Sequence, residues 1–191
     1  FGGYVPPGVT PINETETWNG TNWTEVNNLN TGRTNLGGAG TNTAALGFGG
    51  YTTPPHVNKA LTESWNGTNW TEVNDMNTAR MNLGSGGVDN TSALAFGGSA
   101  PPGSPATKSE TELWNGTNWT EVNDINTARY HGAGLGSSTS ALYAGGVTST
   151  SEVAAINEIW NGTNWAEDTN LSTGRRQFSG SGTSGTAGIV F

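Results

Sequence analysis

Cysteine is absent from this chain, lysine and histidine occur twice each, and no apolar run approaches the length of a membrane-crossing helix. Without cysteine there is no disulfide, no thiolate nucleophile and no zinc-thiolate centre, and the composition carries no trace of redox compartment. With Lys59 and Lys108 as its lysines and a formal net charge of -8, the chain has no basic stripe to neutralise phosphates, so nucleic acid is not expected as a partner. Apolar stretches such as residues 188–191 fall far short of the roughly 20 residues that cross a bilayer as a helix, and no membrane insertion is expected. His56 and His131 share no ligand spacing, and Asp75, Asp124 and Asp168 each stand alone beside Asn or Thr. No metal, no cofactor and no catalytic residue is therefore expected.

What is present is repetition. The 191 residues carry 30 Gly, 8 Trp and only 12% charged side chains. Such polarity with so little charge is compatible with a low-complexity chain, but eight indoles, each able to remove roughly 150–250 Å² from water, are core material. One domain covering residues 1–191 is the working unit. The hexapeptide Trp-Asn-Gly-Thr-Asn-Trp starts at Trp18, Trp65, Trp114 and Trp160, at offsets of 47, 49 and 46 residues. Its second indoles are Trp23, Trp70, Trp119 and Trp165, each followed two residues later by Glu and ten residues later by Arg33, Arg80, Arg129 or Arg175. Self-similarity at this period marks propellers and solenoids. Gly and Asn punctuate every few residues and no 3.6-residue apolar period survives, so the chain reads as all-β. Residues 82–87, 93–98, the segment ending at Trp114 and the segment leaving Trp119 give four strands per repeat. Asn115-Gly116 suits a tight hairpin. A loop of two or of four residues both leave Trp114 and Trp119 on one sheet face, ready to pack on a neighbour.

These residues resemble kelch repeats: an apolar strand ending in Gly-Gly, then Glu, an aromatic with a small polar residue, Trp, and a closing Arg. One copy reads Gly49-Gly50, Glu63, Trp65-Asn66, Trp70 and Arg80; the next reads Gly97-Gly98, Glu112, Trp114-Asn115, Trp119 and Arg129. The familiar aromatic-Asp pair is Trp-Asn here. The wording Asn-Gly-Thr-Asn-Trp-Thr-Glu-Val also resembles repeat proteins of marine viruses and phages. The resemblance implies a β-propeller of four kelch-like four-stranded blades. Residues 186–191 run up to Phe1-Gly2-Gly3 as if one strand continued, so the N- and C-terminal strands are expected to share one blade and close the ring, which protects strand edges. Half of an eight-bladed dimer and a section of a longer array are the rival forms.

Glu16, Glu63, Glu112 and Glu158 each precede a first Trp by two residues, and an Arg closes each repeat. A catalytic site is needed once, whereas a junction is needed in every copy, so these residues and the Trp pairs read as structural. The Asn-X-Thr triplets read as turn chemistry in the same way. Binding residues are expected among the variable loops, 4–13, 51–60, 99–109 and 147–157. Similarity to kelch propellers implies that these loops and the turns after each Arg share one rim, gathering Tyr4, Tyr51, His56, Tyr130, His131 and Arg176. The function expected is non-enzymatic binding or structural display through that rim, on a virion or extracellular appendage, with a protein or glycan surface or further copies as partner. A carbohydrate-binding lectin is the alternative and a kelch-type enzyme the third reading.

Overall fold

The computed structural model describes residues 1–5, 10–100, 106–148 and 152–191. Residues 6–9, 101–105 and 149–151, with the pairs Pro6-Pro7 and Pro101-Pro102 of the variable segments, lie outside the described residues. Among the described residues there are strands and no helix. In chain order they are β1 (Thr15–Trp18), β2 (Trp23–Val26), β3 (Gly37–Gly40), β4 (Ala45–Phe48), β5 (Tyr51–Thr52), β6 (Val57–Asn58), β7 (Thr62–Trp65) and β8 (Trp70–Val73). Next come β9 (Gly84–Asp89), β10 (Ser92–Phe96), β11 (Ser99–Ala100), β12 (Ala106–Thr107), β13 (Thr111–Trp114) and β14 (Trp119–Val122). The last are β15 (Arg129–Tyr130), β16 (Ala133–Gly136), β17 (Ala141–Ala144), β18 (Val147–Thr148), β19 (Asn157–Trp160), β20 (Trp165–Asp168), β21 (Gly180–Ser184) and β22 (Ala187–Val190).

Three antiparallel four-stranded sheets result, β3-β4-β7-β8, β9-β10-β13-β14 and β16-β17-β19-β20, each a meander interrupted by a small loop excursion between its second and third strands. Second strands such as β4 and β10 are buried because they pair on both sides and face a neighbouring sheet on each face. First strands are rich in glycine and lie close together. Ser85 Oγ donates to the Gly38 carbonyl at 2.8 Å, and a Cβ placed on Gly134 would stand 2.4 Å from the Ser85 nitrogen, a separation open only to glycine. Aromatic clusters fill the space between sheets, with Phe48, Met76, Trp114 and Trp119 at one junction and Phe96, Ile125, Tyr143, Trp160 and Trp165 at the next.

The hairpin between third and fourth strands has a four-residue loop. Trp114 opposes Trp119, and Asn115 Oδ1 accepts the backbone N–H groups of Thr117 at 3.0 Å and Asn118 at 2.9 Å while Gly116 takes φ 91°. Asn115-Gly116 thus opens a side-chain-capped turn in place of a two-residue hairpin. The chain ends differ from a closed ring. β1–β2 and β21–β22 each form a two-stranded sheet, and no ladder joins β22 to β1. Phe1 occupies the place where such a strand would arrive: its ring packs edge-on against Trp70 at 4.7 Å, as Phe48 packs on Trp119 at 4.9 Å. Gly2 then donates to the Glu14 carbonyl as Gly49 donates to that of Leu61.

Candidate functional site

The repeated polar residues are consumed at the junctions between repeats. Arg33 pairs with Glu63 at 2.9 Å, Arg80 with Glu112 at 2.8 Å, and Arg129 with Glu158. All six side chains are buried. Each guanidinium also donates to carbonyls, Arg80 to those of Gly97 and Glu110, and each carboxylate accepts further N–H groups, Glu112 from the backbone and side-chain amides of Asn77. Partners in this number let an ion pair sit in a low-dielectric interior, although Arg80 Nε is itself buried without one. Burial lowers the pKa of Arg33 and Arg80, and Glu63 and Glu112 oppose that shift. Indole N–H groups lock the same junctions: Trp70 donates to Thr15 Oγ1, Trp119 to Thr62 Oγ1 and Trp165 to Thr111 Oγ1, at 3.0, 2.9 and 3.0 Å. Trp65, Trp114 and Trp160 are buried too and donate to the carbonyls of Asn42, Asn90 and Ser138, whereas Trp18 and Trp23 are 46% and 65% exposed. Arg175 has no carboxylate partner among the described residues and lies over the Phe178 ring.

The rim is built where the segment after each Arg meets the segment after each Gly-Gly. Thr34 bridges to Tyr51, Met81 to Ser99, and β15 pairs with β18. On it, Tyr51 stacks on His56 with ring centroids 4.0 Å apart and planes 9° from parallel. Tyr130 and His131 form a second aromatic pair at 4.7 Å, with exposed Arg176 close enough to act on the imidazole. Tyr4 is exposed and bridges to Pro11 across its own loop. The six rim residues therefore fall into three places: Tyr51 with His56, Tyr130 with His131 and Arg176, and Tyr4 alone.

One feature of this end is carried by four residues of which the sequence reading singled out only His131. The second residue after each Arg is Asn35, Asn82, His131 or Gln177, and all four take positive φ, from 55° to 60°. Asn82 N donates to Asn35 O, His131 N to Asn82 O and Gln177 N to His131 O, at 3.0, 3.0 and 2.9 Å, so a chain of backbone bonds runs round the mouth of the axis. A cavity of about 160 Å³ lies there, lined by these four residues with Leu36, Leu83 and Phe178. His131 Nδ1 is buried without a partner, and burial, with Arg176 as the lesser cause, lowers the imidazole pKa. Amides and a neutral imidazole offer donors and acceptors for a small polar group. The signal in the sequence was a polar residue tolerant of the left-handed region at Arg+2 in every copy. Among the described residues no three His, Cys, Asp or Glu side chains gather as a metal site.

No protein-family model and no curated protein matches the chain. A solved structure of YjhT superposes on 94% of it with a TM-score of 0.78 and 12% identity, the match covering 69% of that chain. The fold is propeller-like. At this identity the likeness concerns architecture alone, and it fits small antiparallel sheets arrayed with their first strands innermost.

Proposed function

We propose that the chain is a non-enzymatic binding or structural display module of four kelch-like blades, part of a virion or extracellular appendage, that meets a protein or glycan surface through its loop rim. The fourth blade is shared between the chain ends, β21–β22 giving its inner strands and β1–β2 its outer ones. A ring closed within one chain is the smallest assembly of that kind. The observation carrying this reading is the division of labour among side chains. The recurring Glu, Arg and Trp are buried in junctions, while residues that differ between copies, Tyr51, His56, Tyr130 and His131, stand at the rim. The lectin reading rests on the two exposed indoles, Trp18 and Trp23.

Arrays of glycans and of surface proteins, probed with the chain and with a rim variant, test the proposal. The variant carries Y51S, H56A, Y130M and H131N, three of which copy residues at the same positions of other repeats. Binding by the parent that the variant loses, with an unchanged melting temperature, supports the rim. Binding retained by the variant moves the contact face elsewhere. Turnover of any screened compound would overturn the non-enzymatic reading.

A further inference from the structure

What recurs in every repeat serves the scaffold, so a site needed once is to be sought where one repeat departs from the rest. The third repeat departs at positions that adjoin in space. Two residues after its closing Arg it carries His131 where the others have Asn35, Asn82 and Gln177, and the next residue is Gly132 where they have Leu36, Leu83 and Phe178. In its second strand Tyr143 stands at the position of Gly47 and Ala95. A Cβ on Gly132 would lie 2.6 Å from the Tyr143 ring, so glycine leaves room for the phenol. The Tyr143 hydroxyl donates to the Arg129 carbonyl at 3.2 Å and accepts from the Gly132 backbone, and the turn that carries His131 thereby rests on a fully buried side chain. His131 is half-buried with Nδ1 sealed and unpartnered, which leaves Nε2 as the nitrogen it offers to the axial cavity.

That cavity, of about 160 Å³, holds about five waters at roughly 30 Å³ each and is smaller than the roughly 300–1,000 Å³ that takes a drug-sized molecule. The side chains of Asn82, His131 and Gln177 line it, and among the described residues none of the three has a hydrogen-bond partner. Leu36, Leu83 and Phe178 supply apolar walls. Charge selects the occupant. Of the seven lysines and arginines, Arg33, Arg80 and Arg129 are consumed in buried ion pairs. The other four, Lys59, Lys108, Arg175 and Arg176, all lie in the loops and turns of the rim, and Lys108 is paired with Glu110. The bond of 2.9 Å from Gln177 N to His131 O brings the preceding residue, exposed Arg176, to the imidazole, and Arg176 has no carboxylate partner among the described residues. We propose that the axial mouth is a binding site for a small carboxylate, its oxygens taken by His131 Nε2 and the Arg176 guanidinium and its polar body by the amides of Asn82 and Gln177. Charge-assisted hydrogen bonds of this kind are the strong ones, and the apolar walls keep water from competing. Burial and Arg176 lower the imidazole pKa in the empty site; a carboxylate beside the ring acts in the opposite direction.

The site goes beyond the rim reading and can fail separately from it, because its test uses no macromolecule and turns on Arg176, which the rim variant keeps. Acetate, lactate and succinate serve as probes, with glycerol as the uncharged counterpart, all at constant ionic strength. The imidazole proton signals of His131 and His56 are followed by NMR, and H131N assigns them. A carboxylate should move the His131 signals saturably, leave those of His56 in place and raise the His131 pKa. Arg176 and Tyr130 are the charged and titratable groups beside the ring, with Tyr143 behind Gly132. Affinity should gain a factor of ten, as pH falls through the imidazole range, for each unit by which the ligand raises that pKa. R176A should weaken binding by about tenfold or more. H131N, which places the residue type of Asn35 and Asn82 at this left-handed position, should keep the melting temperature above the imidazole range and lose the pH dependence of binding. His131 signals that none of the three carboxylates moves overturn the proposal. An equal shift with glycerol, or undiminished binding by R176A, overturns the assignment of a carboxylate.

Discussion

An arginine buried against a glutamate is stable only as a complete set of contacts, because removing one charge leaves the other desolvated and unpaired. Arg80 meets Glu112 and two carbonyls with no exposed surface. R80A is expected to cost about 3–5 kcal/mol of stability in denaturant unfolding. R175A, which breaks no ion pair, should cost far less. His131 gives a pH signature of opposite origin. Its pKa is lowered from 6.5 by burial and by Arg176, so between that lowered value and 6.5 the folded chain binds fewer protons than the unfolded one. The stabilising effect is fully present above pH 6.5 and is lost as pH falls through the folded-state value. Melting temperature measured against pH should therefore drop across this window in the parent, and H131N should lack that component.

Within each repeat, Gly-Gly serves geometry. Gly97 has φ 61°, and a Cβ there would lie 2.7 Å from the Arg129 carbonyl and 3.0 Å from the Tyr143 ring. G97A is expected to destabilise by at least about 1–3 kcal/mol from backbone strain alone, read as an earlier unfolding midpoint. The strands were legible because alternation, Gly-Gly and Asn-Gly bound them. The length of the hairpin loop was not, since two and four residues give the same facing for Trp114 and Trp119. Only the bonds from Thr117 and Asn118 to the Asn115 carboxamide decide for four. The rim pairs Tyr51 with His56 and Tyr130 with His131 were legible as neighbours in sequence. The axial mouth was not, because Asn35, Asn82, His131 and Gln177 differ in type, and only their shared positive φ and the backbone bonds between them bring the four together.

At the scale of the molecule, the end hairpin β1–β2 carries exposed indoles where the inner hairpins carry buried ones. Trp23 is 65% exposed, so W23S should leave the melting temperature nearly unchanged, whereas W119S, at a residue 5% exposed, should lower it.

The sequence by itself determined the all-β class, the four repeats and the residues that join one repeat to the next, because each depends on local period and on side-chain types recurring at fixed offsets. Tertiary structure decided which of those joints are made. The angle between successive sheets comes from how closely glycine-rich first strands such as β9 and β16 approach and from the bulk of the aromatic clusters behind them. That angle is a sum over many packed contacts, so no single motif encodes whether the last Arg and the first Glu meet.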